Sequence, residues 1–524
     1  MSFPLLTATA VLPAVGAIAT AAVPAKQRTA AKWLALLVSV GTLVLAALVA
    51  IRFDPDGGRY QLTESHAWIA DFGVRYEVGV DGIGVALVAL TALLMPFIIL
   101  AGWHDADPQE TGNSRWRPTQ GFFALILLVE AMVIISFEAT DVFVFYIFFE
   151  AMLIPMYFLI GGFGDRAHAG TEENAAAQRS YAAVKFLLYN LVGGLIMLAA
   201  VIGLYVVAGN FSLQEIAEAR ANGSLSMATS TERWLFLGFF FAFAVKAPLW
   251  PLHTWLPNAM GEATAPVAVL ITAVVDKVGT FAMLRFCLQL FPEASKWATP
   301  VILVLALISI VYGALLAVGQ RDIKRLVAYA SISHFGFIIM GIFAMTSQGQ
   351  SGATLYMVNH GISTAALMLV AGFLISRRGS RLIADYGGVQ KVAPVLAGTF
   401  LIGGLATLSL PGLAPFVSEF LVLVGTFARY PVIGIIATVG IVLAALYTLV
   451  LYQRTMTGPV KPSTEGIADL RVRELAVVVP LIAVLIFLGV YPKPLTELVN
   501  PAVKHTMSDV QKKDPKPEVE AAHK

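Results

Sequence analysis

Long apolar runs alternate with short polar connections along this chain. Runs of roughly 20 residues, enough to cross a bilayer, fall near 3–23, 33–51, 82–102, 120–138, 141–163, 181–208, 233–258, 264–290, 298–318, 325–346, 352–376, 393–428, 431–453 and 474–492. The pattern predicts fourteen transmembrane helices. Two of them are interrupted by proline beside a lone ionisable residue: the stretch from Phe241 to Pro251 holds Lys246, Pro248 and Pro251, and that from Leu410 to Phe420 holds Pro411, Pro415 and Glu419. A helix broken inside lipid frees backbone groups that lipid cannot satisfy, so it persists only where it lines a polar cavity. Two such breaks at comparable places in two halves point to a transporter built on an internal repeat. The expected fold is an all-α polytopic membrane protein with two inverted five-helix repeats, spans 4–8 and 9–13, and with spans 7 and 12 broken. Its expected parts are three N-terminal helices (1–118), the first repeat (119–291), the second repeat (292–455), helix 14 (456–492) and a C-terminal tail (493–524).

Orientation follows from the connections, because cytoplasmic loops retain Lys and Arg. Connections after odd-numbered spans carry Lys26, Arg28, Lys32, Arg115, Arg117, Arg166, Arg179, Arg321, Lys324, Arg325, Arg377, Arg378, Arg381, Lys391, Arg454, Lys461, Arg471 and Arg473, eighteen cations. Connections after even-numbered spans carry seven: Arg52, Arg59, Arg75, Arg220, Arg233, Lys296 and Arg429. Both termini are therefore expected outside the cytoplasm. The segment from Tyr491 to Lys524, with its PKP and DPKP motifs, is expected to be flexible extracytoplasmic chain.

Composition agrees with the pattern and removes other classes of function. The chain is 58% hydrophobic and 13% charged, with mean hydropathy +0.78, values foreign to a water-soluble globule. A net charge of +2 offers no bulk field for nucleic acid. The single cysteine, Cys287, excludes a disulfide within the chain and a cluster held by several thiolates of this chain. No G-x-G-x-x-G following a strand and no G-K-[ST] loop is found, so neither a nucleotide nor a redox centre is expected here. The first apolar stretch lacks a basic n-region, and the reading is a retained span rather than a cleaved signal.

Few ionisable residues lie inside the spans: Glu130 in span 4, Glu150 in 5, Lys185 in 6, Lys246 in 7, Asp276 and Lys277 in 8, His334 in 10, His360 in 11 and Glu419 in 12. Each charge near the bilayer centre costs about 2.5 to 3.5 kcal/mol on insertion scales, and such residues usually mark ion pathways. Plainer roles exist for some. Lys185 lies a few residues into its span and has the reach to snorkel. Asp276 points to a different helix face from Lys277 and reads as a structural carboxylate. His334 and His360 have the chemistry of neutral histidines bonding neighbouring helices. Glu150, Lys246, Lys277, His334, His360 and Glu419 are the principal candidates for proton transfer, with Glu130, Lys185, His253 and Asp276 as weaker ones.

At these residues the sequence resembles the antiporter-like membrane subunits of complex I, the proton-pumping NADH:quinone oxidoreductase, and their relatives in multisubunit sodium/proton antiporters. The resemblance runs from about Val80 to Tyr452. It rests on VGVDGIG (78–84), FFEAMLIPMYFLIG (148–161), YAAVKFLLYNLVGG (181–194), KAPLWPLHTWLP (246–257), DIKRLVAYASISHFGF (322–337) and LPGLAPFVSEF (410–420). The resemblance implies that Glu150 and Lys246 form a charged pair, that Lys277 connects them to the second half, and that Glu419 ends the half-channel. Glutamate rather than lysine at 419 resembles the M-type member, as does the end of the chain soon after span 14. One departure stands out. The family's D-A-H-x-x-A-P-T-A-G-S stretch is replaced by NAMGEATAPVA, with Asn258 for the aspartate, Met260 for the histidine, and Asp276 directly before Lys277.

Burial in a low dielectric disfavours a charged lysine, and a nearby carboxylate favours it. Approach of Glu150 would hold Lys246 protonated; opening of the pair would release the proton toward Lys277. From there His334, waters and His360 would carry it to Glu419. The resemblance implies driving energy from quinone reduction elsewhere in a complex, with flavin and iron–sulfur clusters in partner subunits and no cofactor in this chain. It further implies L-type and N-type neighbours, the lipid bilayer and no nucleic acid as partners, and a place in the bacterial inner membrane. A subunit of a sodium/proton antiporter or of a hydrogenase-type complex stands as the alternative.

Overall fold

The computed structural model describes residues 3–107, 119–165 and 172–516. Arg115, Arg117 and Arg166 of the loop cations, and residues 517–524 of the tail, lie outside the described residues. Among the described residues twelve helices are long and apolar enough to cross a membrane, and they coincide with twelve of the expected spans. Spans 1 to 6 are Leu5–Ala22, Arg28–Arg52, Gly82–Ala101, Thr119–Glu138, Val142–Gly161 and Glu172–Ala208. Span 8 is Ala265–Leu288, span 9 Pro292–Val318, span 10 Ile323–Phe343, span 11 Ser347–Arg378, span 13 Pro431–Met456 and span 14 Val472–Val490. Spans 7 and 12 are broken as the prolines require. The first pairs Thr229–Lys246 with Leu256–Glu262, and the second pairs Pro394–Thr407 with Ala414–Arg429.

The two five-span sets use the same local device at opposite ends. Asp141 caps the helix of span 5, accepting from the backbone N–H groups of Phe143 and Val144 at 2.8 and 2.9 Å. Its backbone bridges Ser212, in the connection after span 6. Asp322 caps span 10 through Lys324 and Arg325 at 2.9 and 3.1 Å, and bridges Leu382, in the connection after span 11. A capping carboxylate answers orphan N–H groups at a helix start. The two caps follow spans 4 and 9, of opposite parity, as inverted repeats demand.

Span 8 is the central helix, with every residue from Pro266 to Leu288 buried. It is not a uniform α-helix. Leu270–Val275 and Met283–Leu288 are π-helical, one on each side of Lys277–Ala282. Such wide turns often occur at functional sites. Spans 10 and 11 are nearly as enclosed, whereas spans 2, 6 and 13 present Leu37, Ile51, Ile202, Val206, Val432 and Val442 on the outside. Lipid is the solvent that makes such exposure stable.

Two elements depart from the expected pattern. Between spans 2 and 3, β1 (Gln61–Ile69) pairs antiparallel with β2 (Val74–Val80) in a hairpin. The expected flexible chain after Tyr491 is corrected at its start, because Lys493–Asp509 is a helix that packs on spans 3 and 11. Its apolar positions Val499, Ala502 and Val503 are buried, and Arg59 holds its end through a two-toothed ion pair with Asp509 at 2.6 and 3.0 Å. Beneath lies a buried pair, Arg285 to Asp81 at 3.1 Å, in which Asp81 also caps span 3 through Gly84.

Candidate functional site

The break in span 7 delivers Lys246 to the protein interior. Lys246 ends the first half-helix and is fully buried. Pro248 and Pro251 prevent the helix from continuing, and the freed groups find partners within the protein. Trp255 Nε1 donates to the Val245 carbonyl at 3.0 Å, and the Trp250 N–H donates to Ser309 Oγ at 2.9 Å. The Lys246 ammonium donates to the Phe149 carbonyl at 3.2 Å and lies 4.4 Å from the centre of that ring.

Glu150, next along span 5, is a neighbour of Lys246 but not its contact partner. No ion pair within 4 Å joins them among the described residues, and Glu150 Oε1 is buried without a hydrogen bond. The carboxyl is seated against Gly194 of span 6, where a β-carbon would overlap it. The expected charged pair is thus held in its open arrangement, with a backbone carbonyl satisfying the ammonium instead.

Lys277 begins the short α-helical segment between the two π turns. Its Nζ is 2.6 Å from His360 Nδ1 and 4.1 Å from the centre of the Phe335 ring. The His360 and His334 rings follow at 5.3 Å between centroids. His334 Nδ1 lies 2.5 Å from the Tyr356 hydroxyl, and that hydroxyl donates to Glu419 Oε2 at 2.8 Å. Ser409 Oγ donates to the same carboxylate oxygen. Tyr447 OH is 3.4 Å from His334 Nε2. If Tyr356 donates to Glu419, it must accept from His334, which assigns the proton of that ring to Nδ1. The expected order of the two histidines is therefore corrected: His360 sits against Lys277, and His334 adjoins the Glu419 end.

The break in span 12 shapes the Glu419 end. Ser409, between its two halves, takes a left-handed backbone with φ of 61°, a conformation stored at a cost by non-glycine residues. The Ala414 carbonyl is taken up by Asn359 Nδ2 at 2.8 Å. Glu419 itself is 3% exposed.

The weaker candidates are spread out. Lys185 donates to Asn258 Oδ1 at 3.0 Å, so the residue that replaces the family's aspartate anchors a lysine. His253 is buried with Nδ1 unpartnered and its ring 5.3 Å from that of Tyr312. Glu130 is fully buried, and among the described residues neither of its oxygens has a hydrogen-bond partner. Asp276 is likewise buried and unbonded. Tyr356, Ser409 and Tyr447 escaped sequence reasoning, since tyrosine and serine in apolar spans carry no charge to flag them. Among the described residues no group of three or more His, Cys, Asp and Glu side chains is placed to hold a metal.

Residues 139–444 match the NADH:quinone oxidoreductase/Mrp antiporter TM family. The chain is 54% identical to NADH-quinone oxidoreductase subunit M of Mycobacterium tuberculosis, over 98% of this chain and 96% of that one. Among solved structures it resembles a chain of respiratory complex I from Thermus thermophilus, with a TM-score of 0.84, 30% identity and coverage of 96% and 99% of the two chains. It also shares the fold of a chain in the Mrp complex from Dietzia sp., with a TM-score of 0.82, 20% identity and coverage of 98% and 100%.

Proposed function

Because this chain belongs to the family of NADH:quinone oxidoreductase M subunits, we propose that it moves protons along the buried axis of Glu150, Lys246, Lys277, His360, His334, Tyr356 and Glu419. The observation that carries this reading is the hydrogen-bonded run at the axis end, His334 through Tyr356 to Glu419, buried beside a lysine that is itself bonded to histidine. Nothing in folding requires a lysine, two histidines and a carboxylate to converge in a bilayer core. Each member can hold or pass a proton, and the only break within the second half is the ring-to-ring step between His360 and His334.

The Glu150–Lys246 site acts as the electrostatic switch. With the ammonium bonded to the Phe149 carbonyl rather than directly to the Glu150 carboxylate, its charge is supported less than in a closed ion pair, and the proton is easier to release. Return of Glu150 toward Lys246 reloads the lysine. The driving energy is quinone reduction in partner subunits, which also hold the flavin and iron–sulfur clusters. L-type and N-type antiporter-like subunits and lipid flank the chain, and both termini face away from the cytoplasm of a bacterial cell membrane. The likeness to the Mrp complex is one of fold.

Reconstituted complex carrying Glu419→Gln tests the reading. Glutamine keeps the shape but holds no exchangeable acid proton, so pumping per electron falls while the subunit stays assembled. Glu419→Lys does not restore it, because a loaded lysine is cationic where a loaded glutamate is neutral. Native pumping by the glutamine variant would overturn the assignment of the axis end.

A further inference from the structure

Within the axis, no hydrogen bond among the described residues links the Lys246 site to the Lys277 site. Direct transfer between two ammonium groups would bring like charges together in a low dielectric. Asp276 stands where such a link is needed. It is fully buried, and neither carboxyl oxygen has a hydrogen-bond partner. A buried ionised carboxylate without bonds is costly, so its state must depend on the charges near it. Lys277 adjoins Asp276 in sequence, and the helix face of Asp276 is turned toward the end of the helix that carries Lys246.

The helix faces around it give a direction. The preceding turn is π-helical, with the Asp276 N–H bonded to the Ile271 carbonyl at 2.9 Å. Residues three apart share a helix face. Gly279 shares that of Asp276, and it abuts span 7: a β-carbon at Gly279 would come within 2.9 Å of the Ala247 nitrogen and of the Phe243 carbonyl. Thr280 shares that of Lys277, and both reach span 11, Thr280 through Met357 Sδ at 3.0 Å and Lys277 through His360. Two successive residues therefore address two different spans, the aspartate toward the end of the helix that carries Lys246.

We propose that Asp276 is the proton carrier joining the two halves of the axis, an inference that rests on the proton-translocating reading above. The Lys246 ammonium gives its proton to the Asp276 carboxylate, leaving a neutral amine and a neutral acid. The acid then passes the proton to the neutral amine of Lys277, which becomes ammonium as the carboxylate is restored. One N–H bond is exchanged for an O–H bond and back, and no electron moves. The carboxylate separates the two cations and offers each an opposite charge in turn.

The test uses the purified complex in sealed lipid vesicles, with Asp276→Asn, Asp276→Glu and Lys277→Met prepared in parallel. Proton translocation is measured against NADH oxidation, and turnover-induced infrared difference spectra report the carbonyl stretch of protonated carboxylic acids. Asparagine preserves size and polarity, so a merely structural Asp276 would tolerate it. The expected result is a loss of on the order of 10²-fold in proton transfer through this subunit, the scale of one positioned proton-transfer group, together with loss of one acid band. Glutamate restores most of the transfer and shifts that band. Native pumping in Asp276→Asn with Lys277→Met impaired overturns the role of Asp276 alone; native pumping in Lys277→Met overturns the axis itself. Should the asparagine variant fail to assemble, an unshifted acid spectrum in Asp276→Glu overturns the proposal.

Discussion

Tyr356→Phe removes one oxygen from the axis and leaves the ring in place, so it isolates the hydroxyl. That hydroxyl makes two contacts, 2.5 Å to His334 Nδ1 and 2.8 Å to Glu419 Oε2. Glu419 retains Ser409 as a donor, but the His334 N–H is stranded in a buried site, at a cost of about 1 to 3 kcal/mol. Because about 1.4 kcal/mol is a factor of ten, the local arrangement shifts by roughly 5- to 150-fold. Proton transfer loses its link between histidine and carboxylate, which is worth on the order of 10²-fold or more. Tyr447→Phe is the internal control: its hydroxyl touches His334 Nε2 only at 3.4 Å, and its loss is worth about 0.5 kcal/mol, the low end for a hydrogen bond. Purified variant complexes in vesicles, with proton uptake followed alongside NADH oxidation, provide the assay. Pumping at the native rate in Tyr356→Phe, or a larger loss in Tyr447→Phe, would refute the relay.

Three further outcomes follow from the geometry. Gly194→Ala places a β-carbon where the Glu150 carboxyl sits; the overpacking costs about 1 to 3 kcal/mol, and pumping is expected to fall with the subunit still assembled, a change absent if Glu150 plays no part. Asp81→Ala leaves Arg285 buried and unpaired and uncaps span 3, so the thermal stability of the assembled complex should drop by about 3 to 5 kcal/mol; a drop under about 1 kcal/mol would mean the pair is solvated. Asp141, in the connection before span 5, is pushed up to about 6 because burial outweighs its bonds from the Val144, Arg75 and Phe143 N–H groups. The folded state then binds that proton more tightly than the unfolded chain, whose value is about 4. Stability should be highest below about pH 4, decline to about pH 6 and level off above it; Asp141→Asn, which keeps the cap, should lack this slope in thermal inactivation of the complex.

The membrane architecture was legible because each span needs its own apolar run and because proline interrupts a helix wherever it stands. The charged ends of the axis were legible for a similar reason: lysine and glutamate in lipid advertise their cost. What joins them was not. Tyr356 and Tyr447 look like ordinary packing residues, and Ser409 acquires its role only through the left-handed turn of the break. The order of the histidines depends on how spans 10 and 11 lean on span 8, which no periodicity records. The π turns around Lys277 follow from tertiary contacts of a fully enclosed helix. The C-terminal helix was obscured by its polar, proline-bearing sequence, whose buried face of Val499, Ala502, Val503 and Met507 has value only against spans 3 and 11.

The central claim is that protons pass through the interior of this chain by way of Lys277, bonded to His360 and enclosed on all sides. Lys277→Met, similar in length but without charge or exchangeable protons, tests it in the intact complex. The deciding quantity is the number of protons translocated per NADH oxidised in sealed vesicles, compared with the native enzyme at equal subunit content. A reduced ratio, with the assembly unchanged, is the outcome the account requires; the native ratio at the native turnover rate would contradict it.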